Sequence, residues 1–191
     1  VFALQSGAGL AGLIDGNGGI NTLSFSALNT QTNVQLTALG SKTGFKGTQL
    51  GTGGSFDNIN RVTGGSGLDD NLYGLDQASR WLISSGPEYA YESGGRQLKF
   101  SQFENLQGGA GEDEFVFSAT GTFSGNLDGG GGRNKLNYQA NKTGVGVDLL
   151  LKVATGVGGV VENILDVKGG SGGDVLRGND LDNDLDGGDG D

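Results

Sequence analysis

The residues of this chain best suited to chemistry are aspartates that follow glycine-rich turns. From Gly169 onward the sequence runs GGSGGDVLR, GNDLDNDLD and GGDGD, in blocks of nine residues. The pattern GGxGxDxU, in which U is a large aliphatic residue, is typical of a calcium-binding turn. Glycine permits the tight turn, and aspartate and turn carbonyls supply the hard oxygen ligands that calcium prefers. The pattern therefore predicts a calcium site at Asp174, with the carbonyls of Gly169 and Ser171 beside it.

Three further aspartates, Asp69, Asp113 and Asp182, lie in or near related turns and are secondary candidates for metal ligands. An aspartate in such a turn can instead accept a hydrogen bond from nearby backbone, as in an Asx turn. This second interpretation stays open for Asp174 as well. The structure therefore has to decide, for each aspartate, between capping of the turn and binding of a cation.

The glycine turns at Asp15 and Asp128 belong to an internal repeat. Both fit the frame D-G-x-G-G-x-N-x-L-x-aromatic, which places Asn21 and Asn134 six residues after the aspartate. Both copies then pass through a V-x-L segment and reach the sequence V-x-G-G-S-G. For these Asp and Asn pairs we expect hydrogen bonding within the turns, because short polar side chains readily bond to turn backbone.

The repeat predicts the organisation of the chain. Residues 1–168 are interpreted as a degenerate repeat of somewhat over 100 residues, with copy one at about 1–112 and a partial copy two from about 113. Residues 169–191 are interpreted as the start of a nonapeptide array that is cut short. We therefore expect the chain to be a fragment of a longer polypeptide.

Composition narrows the possible functions. The formal net charge is −10, so nucleic acid and anionic membrane surfaces are poor partners and cations are good ones. The chain has no histidine and no cysteine, which removes the usual general base and the usual nucleophile systems. Its acidic residues recur in repeat positions instead of forming one singular constellation, and we expect no enzyme activity. No apolar run is long enough to span a membrane, and no membrane insertion is expected.

The apolar residues predict an all-β fold. They occur in short alternating runs separated by glycine turns, and glycine, at 41 of 191 residues, disfavours long helices. The tandem nonapeptides favour a right-handed parallel β-solenoid, with short strands and glycine-rich turns. The same strand spacing also suits an antiparallel β-sandwich, which is the alternative.

The segments GGSGLDDNLYG, GGAGEDEF and GGSGGDVLRGNDLDNDLDGGDGD resemble the RTX family of haemolysin-type calcium-binding repeats. The longer repeat frame resembles repeats of giant bacterial exoproteins that carry such motifs. The resemblance implies calcium sites between turns stacked two nonapeptides apart, which would add Asp189 and Asp191 to Asp174. It also implies secretion by a Gram-negative bacterium and an extracellular or cell-surface location.

These observations predict a structural role in a large secreted or cell-surface protein, as a calcium-stabilised stalk, spacer or adhesive surface. One alternative is a module that binds carbohydrate or a host surface. Trp81 and the tyrosines Tyr89, Tyr91 and Tyr138 could form a platform for polysaccharide, but the favoured interpretation of these rings is that they fill the core or end a ladder. Another alternative is a self-assembling filament or surface-layer unit, in which neighbouring copies pair end to end through open strand edges.

Overall fold

The computed structural model describes residues 1–190, which form twenty-one short β-strands and no helix. No helix long and apolar enough to cross a membrane is therefore found in this part of the chain. The strands are β1 (Phe2–Ala3), β2 (Leu13–Asp15), β3 (Thr22–Ser24), β4 (Asn33–Leu39), β5 (Phe45–Gln49), β6 (Gly54–Ile59), β7 (Arg61–Thr63), β8 (Asn71–Tyr73), β9 (Ser79–Ile83), β10 (Tyr89–Ser93), β11 (Arg96–Ser101), β12 (Asn105–Gln107), β13 (Asp113–Phe117), β14 (Asn126–Asp128), β15 (Lys135–Asn137), β16 (Gly146–Asp148), β17 (Val153–Ala154), β18 (Val161–Glu162), β19 (Asp166–Lys168), β20 (Val175–Arg177) and β21 (Asp184–Asp186).

The strands form a ten-stranded sheet, an eight-stranded sheet and a small three-stranded sheet. The strand order is β1-β3-β7-β11-β10-β9-β13-β15-β19-β21 in the first, β18-β14-β12-β8-β4-β5-β6-β2 in the second and β17-β16-β20 in the third. A glycine turn ends most of the short strands, and at most of these turns the chain passes from one sheet to another. Successive passes therefore lengthen the two large sheets side by side.

Most of the strand pairing is parallel. Of the 18 pairings, 13 are parallel, and the five antiparallel ones lie in the meanders β4-β5-β6 and β9-β10-β11 and in the hairpin β16-β17. The antiparallel sandwich that the strand spacing allowed is therefore wrong, because such a sandwich needs antiparallel neighbours throughout. The all-β prediction is confirmed.

The strand pairings of β2–β8 recur in β14–β20. Strand β3 pairs in parallel with β7, Leu23 facing Val62, and β15 pairs in parallel with β19, Leu136 facing Val167. Likewise β2 pairs with β6 and β14 with β18, and β4 pairs with β8 and β16 with β20. The repeat seen in the sequence is thus accompanied by a repeat in topology.

The core lies between the two large sheets, where most of the short strands direct an apolar side chain inward. Residues at equivalent strand positions stack in register, as Trp81, Phe115 and Leu136 do. Trp81 packs edge-on to Tyr91 at a centroid distance of 4.6 Å, and Tyr91 reaches Phe45 of the opposite sheet at 5.5 Å. One continuous core results, which is extended by each further pair of strands.

The aromatic residues proposed as a sugar platform belong largely to this core. Trp81, Tyr91 and Tyr138 are completely buried, and the half-buried Tyr89 donates its hydroxyl to the Thr122 carbonyl at 2.9 Å. A buried ring offers no face to a polysaccharide. The interpretation of these rings as core residues is therefore confirmed for Trp81, Tyr91 and Tyr138, and a sugar platform built on these three is wrong.

Candidate functional site

Six glycine turns share one frame, in which a glycine is followed five or six residues later by an aspartate or asparagine. The pairs are Gly16 with Asn21, Gly64 with Asp70, Gly108 with Asp113, Gly129 with Asn134, Gly169 with Asp174 and Gly178 with Asn183. In each turn the polar side chain folds back over the glycine, within 3.2 Å of where a Cβ would stand. The glycine is required because any side chain there would displace the polar group.

The turn at Gly169 stacks on the turn at Gly187, as the resemblance implied. The Gly169 N–H donates to the Asp186 carbonyl at 2.7 Å, and the Asp189 N–H donates to the Gly170 carbonyl at 2.9 Å. These bonds hold two successive turns of the same edge in contact. Turns two nonapeptides apart are therefore neighbours in space.

The Asp174 carboxylate occupies the inside of this turn pair. Its Oδ2 accepts the Gly170 N–H at 2.7 Å, and its Oδ1 accepts the Val145 N–H at 2.8 Å. Oδ2 also shares the space above Gly169 with the Gly187 carbonyl oxygen, which lies 2.6 Å from the position of a Cβ there. Asp174 thus caps its own turn and also faces a carbonyl of the next turn.

Asp113 has the same surroundings in the turn at Gly108. The Gly108 N–H donates to the Asp128 carbonyl and the Gly131 N–H to the Gly109 carbonyl, both at 2.8 Å. Oδ2 of Asp113 accepts the Gly109 N–H at 2.9 Å and shares the space over Gly108 with the Gly129 carbonyl oxygen. The hydroxyl of Ser79 bonds to Oδ1.

The Asp113 carboxyl is almost completely buried, with 1% of the residue exposed. Burial raises its pKa from the ordinary 3.8 to about 6, against hydrogen bonds from Ser79 and Gly109 that lower it. The protein therefore holds a carboxylate at neutral pH in a place that disfavours its charge.

In the turn at Gly64 the buried carboxylate belongs to Asp70, the residue after the predicted ligand Asp69. Asp69 is exposed with a φ of 68°, whereas the next residue, Asp70, is fully buried. Oδ1 of Asp70 accepts the Thr32 N–H at 2.5 Å and Oδ2 accepts the Gly65 N–H at 2.6 Å, the bonding pattern of Asp174. Burial, and to a smaller extent the neighbouring Glu104, raises the pKa of Asp70.

Counting forward from the glycines selects Asp69 and misses Asp70, because this turn has one extra residue. Counting back from the strand finds it, since the turn-closing polar residue lies two places before the inward residue of the following strand. Asp70 precedes Leu72 in this way, just as Asp174 precedes Leu176.

Asparagine closes the other three turns and satisfies them without a cation. The Nδ2 of Asn21 donates to the Asn58 carbonyl at 3.0 Å, and that of Asn134 donates to the Asn163 carbonyl at 2.9 Å. In the third turn Asn183 bonds to the Asn179 N–H through its Oδ1, at 2.8 Å. An amide can thus join its turn to a neighbouring carbonyl, which a carboxylate cannot.

Asp15 and Asp128 take part in this asparagine network, as expected from their turns. Each accepts the N–H of the residue two places on, at 2.8 Å. Each also accepts an amide N–H from the next pass of the chain, from Asn58 at 2.7 Å and from Asn163 at 2.6 Å. The hydrogen bond from Asn58 lowers the pKa of Asp15. Their role here is to join adjacent turns.

The remaining predicted ligands have different surroundings. Asp182 is exposed, and its carbonyl accepts a hydrogen bond from Arg133 at 3.2 Å. Ser171 and Asp189 are exposed on the stacked turns, and Asp191 lies outside the described residues. Within residues 1–190 no three acidic side chains converge on one point. A cation at these turns would have to be held by one carboxylate and by backbone carbonyls.

Each aspartate turn places two oxygen acceptors beside one glycine. In each, a carboxylate oxygen and a carbonyl oxygen of the next pass, both acceptors, border the same space over a glycine. At Asp174 the carbonyl belongs to Gly187, at Asp113 to Gly129 and at Asp70 to Gln102. Calcium accepts several such oxygens without strict geometry.

The chain was compared with protein-family models, with curated proteins and with solved structures, and none of the three comparisons found a match.

Proposed function

We propose that the chain is a structural segment of a large secreted or cell-surface bacterial protein, a right-handed parallel β-solenoid of the RTX type that calcium stabilises. Its role is that of a stalk, spacer or adhesive surface. The observation that carries the proposal is the stacked pair of turns at Gly169 and Gly187, with the Asp174 carboxylate facing a carbonyl of the next turn. Parallel strands joined by crossovers favour the right-handed form.

Calcium acts through linkage between binding and folding. Without it, a carboxylate and a carbonyl oxygen face one another in each aspartate turn, and the acidic stretch beyond Asp174 repels itself. A cation that binds the stacked turns and not the unfolded chain stabilises the stack. For extracellular modules with dissociation constants of about 0.1–1 mM, about 10 mM calcium contributes about 1.4–2.7 kcal/mol per site.

Thermal melts in a chelator and in calcium test this mechanism. For a chain of this length we expect calcium to raise the Tm by about 3–10 °C per occupied site. The variant Asp174→Asn converts one aspartate turn into an asparagine turn such as the protein already contains. The difference between its melts in calcium and in chelator should therefore be smaller than that of the wild type.

The matched control is Asp180→Asn, which removes the same charge from an exposed side chain that does not close a turn. It should keep the full calcium response. Equal melts of the wild type in chelator and in calcium would contradict the proposal, and so would a full response of Asp174→Asn.

A further inference from the structure

The outer face of the eight-stranded sheet carries two rows of polar side chains in register. Four neighbouring parallel strands, β4, β8, β12 and β14, contribute one residue each to each row. The first row is Asn33, Asn71, Asn105 and Asn126, and the second is Gln35, Tyr73, Gln107 and Asp128. We call these eight residues the amide face. Parallel strands lie about 4.8 Å apart, so the face offers hydrogen-bonding groups at a regular interval.

Several groups of the amide face have no protein partner. The Nδ2 of Asn71 donates to Asn33 at 2.7 Å, and that of Asn126 donates to Asn105 at 2.6 Å. Among the described residues no bond joins Asn71 to Asn105, which leaves the Oδ1 of Asn71 and the Nδ2 of Asn105 free. An unpaired donor and an unpaired acceptor thus lie on adjacent strands, on two half-buried residues.

The second row adds a ring and a further amide. Tyr73 and Gln107 are half-buried, and their hydroxyl and amide groups contact no hydrogen-bonding partner in the described part of the chain. By contrast, the Gln35 amide is held at 2.9 Å from the Gly74 carbonyl. The free groups therefore concentrate on β8 and β12, in the middle of the face.

Two adjoining concavities follow the face and meet at Gln107. Their volumes are about 300 Å³ and about 460 Å³. Their described linings contain no lysine or arginine and include the carboxylates of Asp76, Asp128 and Glu162. Such a surface repels anionic polymers and can accept hydrogen bonds from hydroxyl groups.

We propose that the amide face binds an extended neutral polysaccharide that runs across the strands. Sugar hydroxyls both donate and accept hydrogen bonds, as the free groups of Asn71 and Asn105 require. The apolar face of a sugar ring can pack on the ring of Tyr73, which is amphipathic and loses little entropy when it is covered. The regular strand spacing suits a repeating polymer better than a single small ligand. This role is additional to the structural one and does not use Trp81.

Affinity electrophoresis of the purified chain tests the proposal, with dextran, mixed-linkage β-glucan and galactomannan as separate neutral probes in the gel. Alginate, an anionic polysaccharide, is the charge control. We expect at least one neutral probe to retard the wild type and alginate to leave its mobility unchanged. Tyr73→Ala with Gln107→Ala should weaken binding at least about tenfold, since about 1.4 kcal/mol suffices for that factor.

Two further variants keep the result interpretable. Gln97→Ala removes an exposed amide from β11, on the outer face of the other large sheet, and should bind as the wild type does. Tyr73→Phe keeps the ring and the fold and should bind more tightly than Tyr73→Ala. Retardation by none of the neutral probes would overturn the proposal. Equal retardation by alginate, or unchanged binding by the folded Tyr73 and Gln107 variants, would also overturn it.

Discussion

Replacing the buried Asp113 by asparagine should stabilise the chain in the absence of calcium. The pKa of this carboxyl, raised from 3.8 to about 6 by burial, corresponds to about 3 kcal/mol of lost stability at neutral pH. The folded state holds the proton more tightly than the unfolded chain does. The contribution of Asp113 to the free energy of unfolding therefore falls as the pH rises from about 4 through 6.

Asparagine removes the charge and keeps the main contacts of Asp113. Its Oδ1 can accept the Gly109 N–H, as the Oδ1 of Asn183 accepts the Asn179 N–H at 2.8 Å in the equivalent turn. Its Nδ2 can donate to Ser79, whose hydroxyl is free to rotate. We expect Asp113→Asn to gain about 2–3 kcal/mol at pH 7, or about 4–12 °C in Tm.

The assay is urea unfolding in chelator at a series of pH values from about 4 to 8, which spans the shifted pKa. The wild type should lose stability across the window, and Asp113→Asn should show a flatter profile. The exposed control Asp180→Asn should lose stability with rising pH between about 4 and 6 as steeply as the wild type does. A variant that is less stable than the wild type at pH 7, or a wild-type profile flat between pH 4 and 6, would refute the reasoning.

Two further predictions concern residues that tie the fold together. Asn58 is fully buried and accepts the N–H groups of Lys42 and Thr43, at 2.7 and 3.0 Å, so Asn58→Ala should cost about 3 kcal/mol through orphaned donors. Its exposed counterpart Asn163 makes fewer bonds, and Asn163→Ala should cost about 1 kcal/mol, with chemical denaturation as the measurement. Trp81→Ala should lower stability by about 3–5 kcal/mol without changing the electrophoretic affinity for neutral polysaccharide per folded molecule. Equal losses at Asn58 and Asn163, or a folded Trp81→Ala that has lost binding, would contradict these assignments.

The glycine turns are the part of the fold that sequence reasoning predicts well. A glycine, a closing polar residue and an inward apolar residue lie within a few positions of one another, so local geometry decides the turn. The stacking of Gly169 on Gly187 was expected only from the resemblance to RTX repeats. The repeat shared by Asp15 and Asp128 also locates matching hydrogen bonds, because equivalent turns place equivalent donors and acceptors together.

The local sequence pattern selects the wrong aspartate where one extra residue shifts the spacing of the turn. The extra residue before Leu72 moves the buried carboxylate from Asp69 to Asp70, and the positive φ of Asp69 absorbs the insertion. The choice depends on which side chain can reach the N–H groups of Thr32 and Gly65. Thr32 is distant in sequence, and its position is set only when the strands have paired.

The amino-acid sequence alone determined that this chain is built from short strands and glycine turns, because period-two apolar runs and obligatory glycines act locally. Only the tertiary structure decided which strands reverse into meanders, since an alternating strand can pair in either direction. It likewise decided that Trp81 fills the core and that Asn71, Tyr73 and Asn105 share one outer face of a sheet, because these positions depend on the register between distant strands. The sequence also predicted aspartates at the turns, but only stacking shows which carbonyl oxygen each carboxylate faces.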